Sequence, residues 1–118
     1  MSYKIKLQLI EAGVEINEAL SRFMESDELY FKFLKMFIND NSFDNMKEAL
    51  SSGDIKKAYS HAHTLKGVAS NLSFNRFIDC LLPIHNSLKD GVNKDYTEEI
   101  NSLNKEYAEL VTIIKEIK

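Results

Sequence analysis

The chain has 118 residues, a common size for one compact domain, with 15 basic against 18 acidic side chains and a formal charge of -3. That balance lacks the basic excess needed to neutralise a phosphate backbone, so nucleic acid is not an expected partner. Hydrophobic residues make up 44% of the chain, with only 4 Gly and 1 Pro, which supplies a core but few turn formers for a sheet of many tight turns.

At the N-terminus, Lys4, Lys6 and Glu11 interrupt the apolar residues, so there is no continuous apolar run of the kind a signal peptide carries. No stretch approaches bilayer-spanning length, and the expectation is a cytoplasmic protein with no membrane insertion. A single domain over residues 1–118 is expected, and Met1 together with the lack of a linker favours a free-standing form. Ile5 and Leu9, then Ile16, Leu20 and Phe23, fall in two groups separated by Gly13, which predicts two short helices. Ser26 is an N-cap candidate, and Asp27 and Glu28 suit the positive end of a helix that continues through Leu29 to Ile38. That segment is too apolar for one stripe, so the N-terminal helices are expected to cover part of it. Asn39 to Ser42 interrupts the run as a bend or a full break, and Phe43, Met46 and Leu50 resume a helical face up to Gly53.

Gly53 fits a helix C-terminus and Asp54 the next N-cap. The helix after them carries Ile55, Ala58, Ala62, Leu65, Ala69 and Leu72 at alternating spacings of three and four, an apolar stripe whose alanines admit a close neighbour. Phe77, Leu81, Ile84 and Leu88 define the next helix, in which Pro83 is expected to produce a kink or a division into two pieces. Cys80, the one cysteine, excludes an intramolecular disulfide and, beside Phe77 and Leu81, reads as a small buried hydrophobe rather than a reactive thiol. Tyr96, Ile100, Leu103, Tyr107, Leu110, Ile114 and Ile117 predict a last amphipathic helix that runs to the C-terminus. The fold class is therefore all-α: an antiparallel four-helix bundle with short N-terminal covering helices.

At about 100° per residue, His63 points away from the stripe of its helix. Gly67 lies one turn further on the same side, Lys66 lies between that side and the flank, and Tyr59 and Ser70 border the patch as partner-docking candidates. A neutral imidazole offers a nucleophilic lone pair near physiological pH without a separate base. An ammonium one turn away, Lys66, stabilises the negative charge of a phosphoryl group placed on that ring. Gly67 leaves room for a partner, although a mid-helix glycine costs about 1 kcal/mol relative to alanine.

The run from Ala62 to Phe74, AHTLKGVASNLSF, closely resembles the signature of histidine-containing phosphotransfer domains, with Ala62, His63, Leu65, Lys66 and Gly67 matching an Ala-His-x-Leu-Lys-Gly pattern. The segment Ser21 to Phe37 resembles the early helical region of the same family. The resemblance implies phosphorylation of His63 and docking of response-regulator receiver domains around it, with a hybrid sensor histidine kinase upstream in a two-component phosphorelay. It further implies a monomeric carrier without kinase activity, and no cofactor of its own, since the aspartyl phosphate and Mg²⁺ belong to the receiver. One departure is Ser73, where the family usually has glycine, which bears on the local turn.

Other readings remain beside this one. A helical interaction or scaffold domain without phosphotransfer would use the apolar excess of Leu29 to Ile38 as a partner groove. A metal-binding bundle would need Glu-x-x-His pairs, and neither His61 nor His63 has a glutamate three positions before it. His61 projects from a different side of the helix and reads as a flank residue. His85, next to Ile84, reads as partly buried or solvated structure with no assigned role.

Overall fold

The structure is a computed structural model that describes residues 3–118. Its described residues form seven helices: α1 (Tyr3–Glu11), α2 (Ile16–Arg22), α3 (Asp27–Ile38), α4 (Ser42–Ser51), α5 (Ile55–Asn71), α6 (Asn75–Lys89) and α7 (Thr97–Ile114). Helix α4 packs on α5, α5 on α6 and α6 on α7, while α3 lies against α7 and closes the bundle. The consecutive pair α3–α4 thus acts as one of four members. The short helix α1 covers α7, and α2 bridges α1 and α3, as expected from their small apolar faces.

The chain starts and stops these helices with side chains placed where the backbone lacks partners. Ser26 accepts a hydrogen bond from the Leu29 amide at 3.1 Å, and Asp54 accepts one from Lys57 at 3.1 Å, each satisfying an amide of the first turn. Between α4 and α5, Gly53 has φ +75, a left-handed conformation that lets the chain reverse tightly. The interruption after α3 is a full break: Asp40 Oδ1 accepts from the Ser42 amide at 2.8 Å and turns the chain into α4.

The core runs from Ile5 and Leu9 to Ile114, with the α5 residues Ala58, Ala62, Leu65 and Ala69 all buried. The three alanines are small enough to let α4 and α6 pack close to α5. An aromatic cluster fills the middle: Phe37 meets Phe74 edge-on at 5.0 Å, and Phe43 lies 4.9 Å from Tyr107. On α3, Tyr30 is fully buried and its hydroxyl donates to the Leu72 carbonyl at 2.9 Å, tying α3 to the end of α5. Burial pushes the Tyr30 phenol well above its ordinary range. Phe23, just past α2, covers α3 through Tyr30 and Phe33, with ring centroids 5.4 and 5.1 Å away. Met36 remains 55% exposed, so the covering of this apolar segment is incomplete.

One expectation is narrowed and another requires correction. Pro83 does not divide its helix, because α6 is continuous from Asn75 to Lys89. Pro83 is exposed, and so is Asp79, whose carbonyl loses the amide that proline lacks; on this side of the helix water can take its place. The last helix ends at Ile114 and the final residues form a turn, although half-buried Ile117 still packs against the core.

Candidate functional site

Helix α5 positions the site. Because Ala62 and Leu65 are buried, the intervening positions turn outward, and His63 is exposed. Lys66 is half-buried and Gly67 exposed; Tyr59 and Ser70, half-buried, flank them along the same helix. Among the described residues Lys66 has no ion pair, so its charge is not committed to a carboxylate. A Cβ built on Gly67 meets nothing within 4 Å. Nothing inside the fold therefore requires a glycine there, and its effect is to leave the surface beside His63 bare. His61, half-buried, lies on the flank.

His63 is not an isolated surface imidazole. Its Nδ1 lies 3.2 Å from Nε2 of His85 on α6, and the two rings stack with centroids 5.5 Å apart and an interplanar angle of 29°. His85 Nδ1 is in turn 3.0 Å from Asn86 Oδ1. The Tyr59 ring lies 5.8 Å from the His63 ring and 5.2 Å from that of His85, packing beside both. His85 is only 3% exposed, which corrects its reading as a partly buried or solvated residue. Position 85 falls four after Leu81 and three before Leu88, on the buried stripe of α6; that spacing signalled burial, whereas the pairing with His63 arises only when α5 and α6 pack together.

Cys80 is half-buried, and burial raises its thiol above the ordinary range, disfavouring the nucleophilic thiolate. Among the described residues no group of three or more His, Cys, Asp or Glu side chains is arranged to hold a metal ion. Nor is any helix of those residues long and apolar enough to cross a membrane.

Ser73, in the turn after α5, shows how the fold accommodates the departure from glycine. Its φ is +59, the left-handed conformation that favours glycine. Its hydroxyl accepts from Arg22 Nη1 at 2.6 Å and donates to Glu18 Oε1 at 3.0 Å. The Arg22 and Ser73 hydrogen bonds hold the Glu18 carboxyl below its ordinary range. This network fastens α2 to the turn that ends α5.

The architecture is a small helical bundle in which one long helix presents an imidazole on its surface, backed by the neighbouring helix. The family model of the Hpt domain matches residues 32–113, most of the chain from within α3 to the end of α7, and the protein belongs to that family. Neither the search of curated proteins nor that of solved structures returns a match.

Proposed function

We propose that this protein is a phosphocarrier that accepts a phosphoryl group on Nε2 of His63 and passes it to or from an aspartate of a receiver domain in a two-component phosphorelay. The observation that carries this reading is the exposed His63 imidazole within the Hpt-matched segment of α5. The uncommitted Lys66 ammonium and the bare surface at Gly67 add to it.

In the transfer, the Nε2 lone pair attacks the phosphorus of the receiver's aspartyl phosphate. An N–P bond forms while the P–O bond breaks, and the departing electron pair returns to the aspartate as a carboxylate. Lys66 offers its positive charge to the phosphoryl oxygens before, during and after the exchange. Gly67 lets the partner's active site approach, and Tyr59 and Ser70 border the docking surface. The Mg²⁺ ion of this reaction belongs to the receiver, and the carrier contributes nucleophile, charge and clearance. Receiver domains and a hybrid sensor histidine kinase are the partners this reading assigns, with a cytoplasmic, monomeric carrier between them.

The test is phosphoryl transfer from a labelled receiver to wild type and to His63→Ala. Acid-labile label on the wild type alone supports the carrier and its site together. If several phosphorylated receivers label neither, the reading gives way to a helical interaction domain.

A further inference from the structure

The geometry points to His85 as the positioning residue that holds His63 in the tautomer protonated on Nδ1, so that the Nε2 lone pair faces outward. This inference rests on the phosphocarrier reading for its purpose, but its physical content stands on the two imidazoles and the Asn86 amide. A neutral imidazole carries one proton on either nitrogen, and the hydrogen bond made by one nitrogen decides where the proton sits. Only the nitrogen without the proton can attack phosphorus.

The direction of the chain follows from its far end, where exposed Asn86 meets the buried His85 ring. In the structure Asn86 turns its amide oxygen, which only accepts, toward His85 Nδ1 at 3.0 Å, and with the amide in that orientation His85 Nδ1 donates. In neutral His85 that leaves Nε2 bare, and Nε2 lies 3.2 Å from His63 Nδ1. His63 must then donate from Nδ1, and its own Nε2 keeps the lone pair. The opposite polarity would leave Nδ1 of His85 bare and would need the Asn86 amide turned over, with Nδ2 in place of Oδ1 against the ring. Burial of His85, stacking of the two rings and the Tyr59 ring beside both restrict the alternatives available to either imidazole.

The same arrangement acts during transfer. As Nε2 forms its bond to phosphorus, the His63 ring gains positive charge while its proton stays on Nδ1. The neutral His85 Nε2 accepts a hydrogen bond from that proton, and a charge-assisted bond of this kind is stronger than a neutral one. In the reverse direction the N–P electron pair returns to Nε2, and the ring is again left with its lone pair outward. His85 touches neither phosphate nor partner in this scheme; it acts through His63, as the orienting group behind a catalytic histidine does.

The experiment combines a spectroscopic and a kinetic readout on the full chain. Long-range proton–nitrogen NMR at about pH 8, above the usual imidazole range, reports which His63 nitrogen is protonated. The variants are His85→Leu, which keeps apolar bulk but cannot accept, and His85→Gln, whose amide oxygen can. The wild type is expected to show the Nδ1–H form at His63. His85→Leu should lose that preference and slow transfer from a phosphorylated receiver by roughly tenfold or more, while His85→Gln recovers part of both. A wild type without tautomer preference overturns the inference, as does a folded His85→Leu with unchanged tautomer and rate. If His85→Leu does not fold, the wild-type tautomer and His85→Gln decide: a Gln variant that folds but shows the Nε2–H form with unaltered transfer also overturns it. Should the wild type hold the Nδ1–H tautomer yet accept no phosphoryl group, the positioning role stands and the phosphocarrier reading falls.

Discussion

Lys66 and Tyr30 show two separate uses of a polar side chain in this fold. Lys66 is half-buried and free of any carboxylate among the described residues, so Lys66→Ala should leave thermal stability within about 0.5 kcal/mol of wild type. It should nevertheless lower the transfer rate to His63 or shorten the lifetime of the phosphorylated form; unaltered kinetics would remove Lys66 from the mechanism. Tyr30 works for the fold, since its hydroxyl caps the buried Leu72 carbonyl at the end of α5. Tyr30→Phe leaves that carbonyl without its donor and should cost about 1 to 3 kcal/mol in denaturant unfolding, with transfer unchanged. The candidate residues on α5 were legible because each is placed by its own helix. Ser73 was legible only as a departure from glycine: its left-handed φ follows from the turn, but its hydroxyl partners Arg22 and Glu18 are 51 and 55 residues away in the chain, beyond the reach of a local pattern. His85 was missed for the same reason. Its burial was written in the spacing of α6, its partner on another helix was not.

Helix α5 carries the site on one side and the core on the other, and substitutions should separate the two. Leu65 is 1% exposed, so Leu65→Ala should destabilise by about 2 to 5 kcal/mol through lost burial and the cavity left behind. A surface-like effect would mean that the orientation of α5, and with it the outward turn of His63, is wrong. Gly67→Leu tests the other side. With nothing within 4 Å of a Cβ there, the fold should gain up to about 1 kcal/mol from helix propensity, while receiver docking and labelling of His63 fall sharply. Normal docking by this variant would refute the clearance argument. The boundaries of α5 were readable from Gly53 and Asp54 because caps are local chemistry. The continuity of α6 was not, because the consequence of Pro83 depends on whether the orphaned carbonyl faces water or protein, and only the packed helix decides that.

At the scale of the molecule, the helix order followed from apolar periodicity, while the docking between distant segments did not. The turn after α1 is an example. Gly13, with φ +85, sits so close to α6 that a Cβ would lie 2.3 Å from Arg76 Cβ, and its carbonyl accepts from the Arg76 amide at 3.2 Å. Arg76 also donates to Glu106 and Glu109 of α7 and to the Glu11 carbonyl. One arginine thereby joins the N-terminal segment, α6 and α7. The Hpt match begins at residue 32, yet α1, α2 and their connections place Ile5, Leu9, Ala12, Val14, Ile16, Ala19, Leu20 and Phe23 in the same continuous core as the matched part. Full burial of one large apolar side chain is worth roughly 1.5 to 3 kcal/mol, and whole domains are stable by only about 5 to 15 kcal/mol. A chain beginning at Ser26 would lose all eight of these residues and bare the faces of α3 and α7 that they cover. We therefore expect such a truncation to lose its cooperative thermal transition or to aggregate. No side chain of α1 or α2 is among the groups described around His63, so the deletion should act on the fold rather than on the transfer step. A truncated chain that unfolds cooperatively near the wild-type temperature would make the N-terminal helices an accessory to the bundle instead of part of its core.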